Sequence, residues 1–84
     1  MLHKYRKTAL IEAEQFDGSI DMMREYGIVV NPDALHDPDA PLCTMNTREG
    51  EMIVYEGDWI ATEIDGEHWI IEPEIFERTY ERVD

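Results

Sequence analysis

An α+β domain built on a small curled antiparallel sheet, or a partly open barrel, of about five to six short strands is the fold class this sequence predicts. Three observations predict it. Short β-branched or alternating runs recur at close spacing, glycine-containing turns separate them, and one segment, Ile20–Tyr26, carries a helical period between two caps. The 84 residues support one modest core, so positions 1–84 are read as a single domain.

Each element has a local reason. In Ala9–Phe16, Ile11 and Ala13 alternate with Glu12 and Glu14, the pattern of a half-buried strand. Asp17-Gly18-Ser19 is turn chemistry and offers Ser19 as an N-cap. Ile20, Met23 and Tyr26 then recur on one helical side until Gly27 stops the turn. Ile28-Val29-Val30 is a short strand that Asn31-Pro32 ends. Pro32–Pro41 is the one long loop, and a loop of that length in a small domain is functional or mobile. Leu42–Thr47 returns as a strand, Arg48-Glu49-Gly50 turns, and Glu51–Tyr55 follows.

The C-terminal half repeats the pattern. Glu56-Gly57-Asp58 is a turn and Trp59–Ile64 a strand. Asp65-Gly66 reads as a two-residue hairpin loop leading to a return strand, Glu67–Ile71. Counting from that loop pairs Thr62 with Trp69 and Trp59 with Glu72, which puts the two tryptophans on opposite faces. Glu72-Pro73 opens one helical turn, with proline at the position where its missing N–H costs nothing. Ile75 and Phe76 plug one edge of the sheet, and Thr79–Val83 is expected as a last edge strand.

Charge narrows the function classes. With 20 acidic and 7 basic residues the net charge is −13. Three of the basic residues, Lys4, Arg6 and Lys7, sit in the first seven positions, so from Thr8 onward four basic residues face 20 acidic ones, a net of −16. A direct nucleic-acid binder needs a basic footprint and is excluded on this ground. The single cysteine, Cys43, permits no internal disulfide, and a reduced, semi-buried thiol is expected. No signal-peptide pattern and no membrane-length apolar run is present, which reads as a cytoplasmic protein without membrane partners.

No motif for catalysis or cofactor binding stands out, so no enzyme activity, cofactor or metal is expected. His36-Asp37-Pro38-Asp39 with Asp33 lacks the register of a calcium loop. The features left for partner binding are acidic: Glu63, Asp65 and Glu67 at the hairpin tip, Trp69 on its return arm, and Glu72 and Glu74 beyond. Such an array resembles the charge of phosphates and suits a basic groove on another protein.

Two blocks carry a resemblance. His3-Lys4-Tyr5-Arg6-Lys7-Thr8-Ala9-Leu10-Ile11-Glu12-Ala13-Glu14-Gln15-Phe16 resembles the opening of a family of small bacteriophage and prophage proteins of uncharacterised function. Gly57-Asp58-Trp59-Ile60, Gly66-Glu67 and Pro73-Glu74-Ile75-Phe76-Glu77-Arg78-Thr79-Tyr80-Glu81 resemble its ending. The chain departs from that pattern at Thr8, where proline is common, and at His68–Glu72, where an acidic residue replaces a basic one. The resemblance implies a phage-encoded accessory protein; the missing catalytic motifs and the acidic charge add the expectation that it binds a host or phage macromolecule as an inhibitor or nucleic-acid mimic, as a monomer or homodimer. A small-molecule or nucleotide-binding module and a virion or assembly component are the alternatives.

Overall fold

Alternation, caps and turns place the elements where local chemistry predicts. The computed structural model describes residues 1–6, 8–40 and 42–84. The expectations that fall on Lys7 and Pro41 therefore lie outside the described residues. Among the described residues six strands form, β1 (Glu12–Gln15), β2 (Val29–Val30), β3 (Cys43–Thr47), β4 (Gly50–Val54), β5 (Trp59–Thr62) and β6 (His68–Ile71), with helices α1 (Ile20–Tyr26) and α2 (Pro73–Thr79). The class is α+β, as the sequence predicts. The strands are divided between two antiparallel three-stranded sheets, ordered β1-β5-β6 and β2-β3-β4, and no barrel closes.

Helix α1 spans the residues expected of it. Ser19 Oγ accepts the Met22 N–H at 3.2 Å, and Gly27 ends the helix at φ 66°, a left-handed conformation that glycine adopts without Cβ strain. The long loop opens as a 3-10 turn over Pro32–Leu35, with Asn31 Oδ1 accepting the Asp33 N–H. Its base is tied where the Asn31 N–H donates to the Leu42 carbonyl at 2.7 Å.

The C-terminal hairpin departs from its expected register. Trp59 pairs with Ile71, Ala61 with Trp69 and Thr62 with His68, one residue out of step with a two-residue loop. The loop has three residues. The Gly66 N–H donates to the Glu63 carbonyl, the Glu63 N–H donates to the Glu67 carbonyl, and Gly66 takes φ 86°. That is a type I turn closed by a left-handed glycine bulge, the three-residue alternative to the Asp-Gly two-residue turn. A one-residue slip moves every side chain of the return strand to the other face. Trp59, Ala61, Trp69 and Ile71 therefore share one face, and Ile60, Thr62, His68 and Ile70 the other.

Both faces are covered. Ile60 joins Phe16, Met22, Ile28, Cys43, Met45 and Val54 in the main core, with Met23, Tyr26 and Ile70 packed against it. The Trp59 face receives α2: Phe76 stacks on Trp59 with ring centroids 4.0 Å apart, and Tyr80 stacks on Phe76 at 5.1 Å. Helix α2 is longer than the expected single turn, since it runs through Thr79. The edge strand expected over Thr79–Val83 does not form, because Thr79 is the last helical residue and 80–84 has no regular structure. The Thr79 hydroxyl donates to the Ile75 carbonyl, which holds this residue in the helix. Cys43 is a buried free thiol in β3. Among the described residues no helix is long and apolar enough to cross a membrane.

Candidate functional site

Beyond the shared core, a cation ties the β3–β4 turn to the tip of the β5–β6 hairpin. Arg48, in the β3–β4 turn, reaches the hairpin tip, where a guanidinium nitrogen lies 3.0 Å from Asp65 and 3.3 Å from Glu67. Hydrogen bonds from Glu67 first and Asp65 second raise the Arg48 pKa further above its usual value. Asp65 Oδ1 also accepts the Glu67 N–H at 3.1 Å. That backbone bond, followed by Arg48, holds the Asp65 carboxyl below the ordinary carboxylate range. An open groove of about 370 Å³ runs beside this pair, lined by Arg48, Glu63, Ile64, Asp65, His68 and Trp69 among others.

Of the six residues predicted to bind a partner, four converge here: Glu63, Asp65, Glu67 and Trp69. Glu72 and Glu74 stand apart, exposed at the start of α2. The length of β6, roughly 13 Å of extended chain, separates them from the tip. The tip is thus a clasped structure in which Asp65 and Glu67 already hold a cation.

A second groove, of about 300 Å³, was not legible in the sequence. Strands β1, β5 and β6 and helix α1 bring together Glu12, Glu14, Glu25, Tyr26, Thr62 and His68. Register explains the grouping. Glu12 pairs with Thr62 and Thr62 with His68, so these three share a face, with Glu14 beside Ile60 on the same side. Tyr26 reaches over from α1 and meets the His68 ring edge-on, with centroids 5.1 Å apart. Thr62 Oγ1 and His68 Nδ1 are hydrogen-bonded at 2.9 Å, which fixes the imidazole plane. Burial, then the charge and hydrogen bonding of Glu14, push the Tyr26 phenol up to about 12. The phenol therefore stays neutral under ordinary conditions, and the rim is two aromatic rings and three carboxylates. This lining suits a guanidinium or ammonium group. The signal that could have located it is the outward Glu12 and Glu14 of β1, whose neighbours only the sheet order supplies.

The Gly57-Asp58-Trp59 block has a structural role. Asp58 is the one buried acid, and its Oδ2 accepts the Tyr55 N–H at 2.9 Å. The Phe16 N–H donates to the Asp58 carbonyl, the Gly57 N–H donates to the Phe16 carbonyl, and Gln15 Nε2 donates to the Gly57 carbonyl. The N-terminal and C-terminal blocks that carry the sequence resemblance are one hydrogen-bonded unit. No group of three or more His, Cys, Asp or Glu side chains is placed to hold a metal ion among the described residues. The chain matches no protein-family model, no curated protein and no solved structure.

Proposed function

We propose that the protein is a non-enzymatic, phage-encoded accessory protein that acts in the host bacterial cytoplasm by binding a basic surface on another macromolecule, as an inhibitor or nucleic-acid mimic. The observation that carries this reading is the disposition of the acids. Of 20 carboxylates, 17 are exposed, Glu63 and Glu67 are half-buried, and Asp58 alone is buried. A fold that needed these groups for its own core would pair them inside; this one buries a single acid, Asp58, and leaves most of the rest to solvent. Their field steers a cationic partner and accelerates its encounter.

The groove between α1 and β1-β5-β6 is the natural contact point. A partner's Arg or Lys inserted there meets Glu12, Glu14 and Glu25 with the Tyr26 and His68 rings beside it. The clasped tip is the weaker contact, because Arg48 has first claim on Asp65 and Glu67. The same pairing disfavours the nucleotide-binding alternative: Arg48 is the cation nearest Trp69 in the first groove, and it is already committed to two carboxylates.

Affinity capture from host lysate at low and high salt tests the reading. A captured protein with a basic surface, released by salt and lost on Glu12→Gln/Glu14→Gln substitution, is the expected result. Capture of nothing salt-sensitive removes the proposal. Mass spectrometry of purified particles addresses the virion alternative, and a nucleotide thermal-shift series the ligand-binding one.

A further inference from the structure

The second sheet carries an outer row whose flanking apolar residues are exposed, although Thr44 at its middle is buried. Its inner rows, Cys43–Val54 and Met45–Met52, turn to the core. Its outer row pairs Val29, Thr44 and Ile53, and alternation adds Leu42 and Tyr55 to the same side. Val29 is 57% exposed, Leu42 63% and Tyr55 60%. Strand β4 is also an edge of that sheet among the described residues. Carboxylates border this apolar strip: Glu51 on the outer side of β4, and Glu49 and Glu56 at its ends.

The chain contains a segment of matching chemistry. Met1, Leu2 and Tyr5 are almost fully exposed, and Lys4, Arg6 and Lys7 give their stretch a charge opposite to the −16 of the remainder. Residues 1–6 have no regular structure. The radius of gyration is 14.7 Å and the longest dimension 48 Å. A compact chain of this length has a radius of about 12 Å, so the molecule is more extended than a compact sphere.

We propose that the N-terminal arm of one copy docks as an added strand along β4 of a second copy, with Tyr5 and Met1 on the apolar strip beside Ile53 and Tyr55. The exchange is reciprocal and closes as a two-fold dimer. Charge selects the occupant. Two bodies of this negative charge repel each other, and the basic arm is the part of a second copy that the acidic border attracts. Strand addition supplies backbone hydrogen bonds, and alternate arm residues, Met1, His3 and Tyr5, fall on one face. A stable interface needs about 800 Å² from each partner. Two exchanged arms add their own area to that of the strip. This inference does not depend on the basic-partner reading, since it uses the other sheet and a different class of contact.

Sedimentation velocity and light scattering on the full chain, over a dilution series in the micromolar range, test it. A reversible species of twice 9.9 kDa is expected at low salt. Tyr5→Ser and Ile53→Glu should each weaken dimerisation by at least about tenfold, the scale of one lost anchor. Lys4→Glu with Arg6→Glu should do the same, and high salt should weaken the wild type. The near-ultraviolet dichroism of the Trp59–Phe76 stack checks that each variant is folded. Tyr5 lies outside the body, so Tyr5→Ser remains informative if Ile53→Glu unfolds. A chain that is monomeric throughout the series overturns the proposal, as does a dimer that folded Tyr5→Ser leaves unchanged.

Discussion

Asp58 shows how one residue can turn a loop into a scaffold. Its buried carboxylate accepts the Tyr55 N–H, while its backbone links to Phe16 at the end of β1. Asp58→Ala leaves that N–H without a partner inside the protein. We expect a loss of about 1–3 kcal/mol, read from the urea midpoint, and Asp58→Asn should recover part of it because an amide oxygen can still accept. Tyr26 offers a pH prediction. Its folded pKa is about 12 against an ordinary 10.0, so the folded state holds the phenolic proton more tightly than the unfolded chain does. The associated stability is complete below pH 10 and is lost as pH rises through 12. Ultraviolet titration at the phenolate band should show one of the four tyrosines ionising last, and Tyr26→Phe should abolish the late step.

At the scale of elements, the hairpin and its clasp deserve separate tests. Asp65 has a depressed pKa from the Glu67 N–H and then Arg48, so its contribution is present above the unfolded carboxylate range and disappears as pH falls through the lower folded value. Arg48→Gln removes the cation from both carboxylates. The three side chains are 43–64% exposed, and ion pairs open to solvent contribute little, so global stability should change only slightly. Amide exchange at the tip, residues 63–67, should accelerate all the same, because Arg48 is a direct side-chain tie between β5–β6 and the β3–β4 turn. Unchanged exchange would mean that the backbone bonds of the turn alone order the tip. The hairpin also shows why a dipeptide signal is not a register. Asp-Gly is compatible with a two-residue turn and with a three-residue turn ending in a glycine bulge. Burial chose between them: the observed pairing places Ile60 and Ile70 together on the core face and Trp59 against Phe76 of α2.

For the whole molecule, a small core works against a large self-repulsion. Ile60 is fully buried where the first sheet meets the main cluster, so Ile60→Ala should cost about 2–5 kcal/mol in chemical denaturation. In a domain this size that is a large part of the total. The net charge of −13 acts in the opposite sense, favouring expansion at low ionic strength. Added sodium chloride should raise the melting temperature over the range where the screening length falls from about 30 to 8 Å. A flat response would show that the exposed acids are too dispersed to repel one another. The same salt series separates folding from the two contacts proposed above, since partner capture and arm docking both weaken as folding strengthens.

Elements were legible in the sequence because they rest on neighbours along the chain. Ser19 and Gly27 bound α1, prolines 32 and 73 mark where strands end, and alternation, β-branched runs and turn residues locate the six strands to within a few residues, beside a seventh expected at Thr79–Val83 that does not form. Exposure of the acids and burial of Cys43 follow from the same local preferences. Only the tertiary structure decided how the strands divide between two sheets, which face of β5 and β6 meets α2, and that Glu12, Glu14, Glu25, Tyr26 and His68 form one groove. Those outcomes depend on pairings between residues far apart in sequence, where a shift of one position reverses every side chain and no local pattern distinguishes the alternatives.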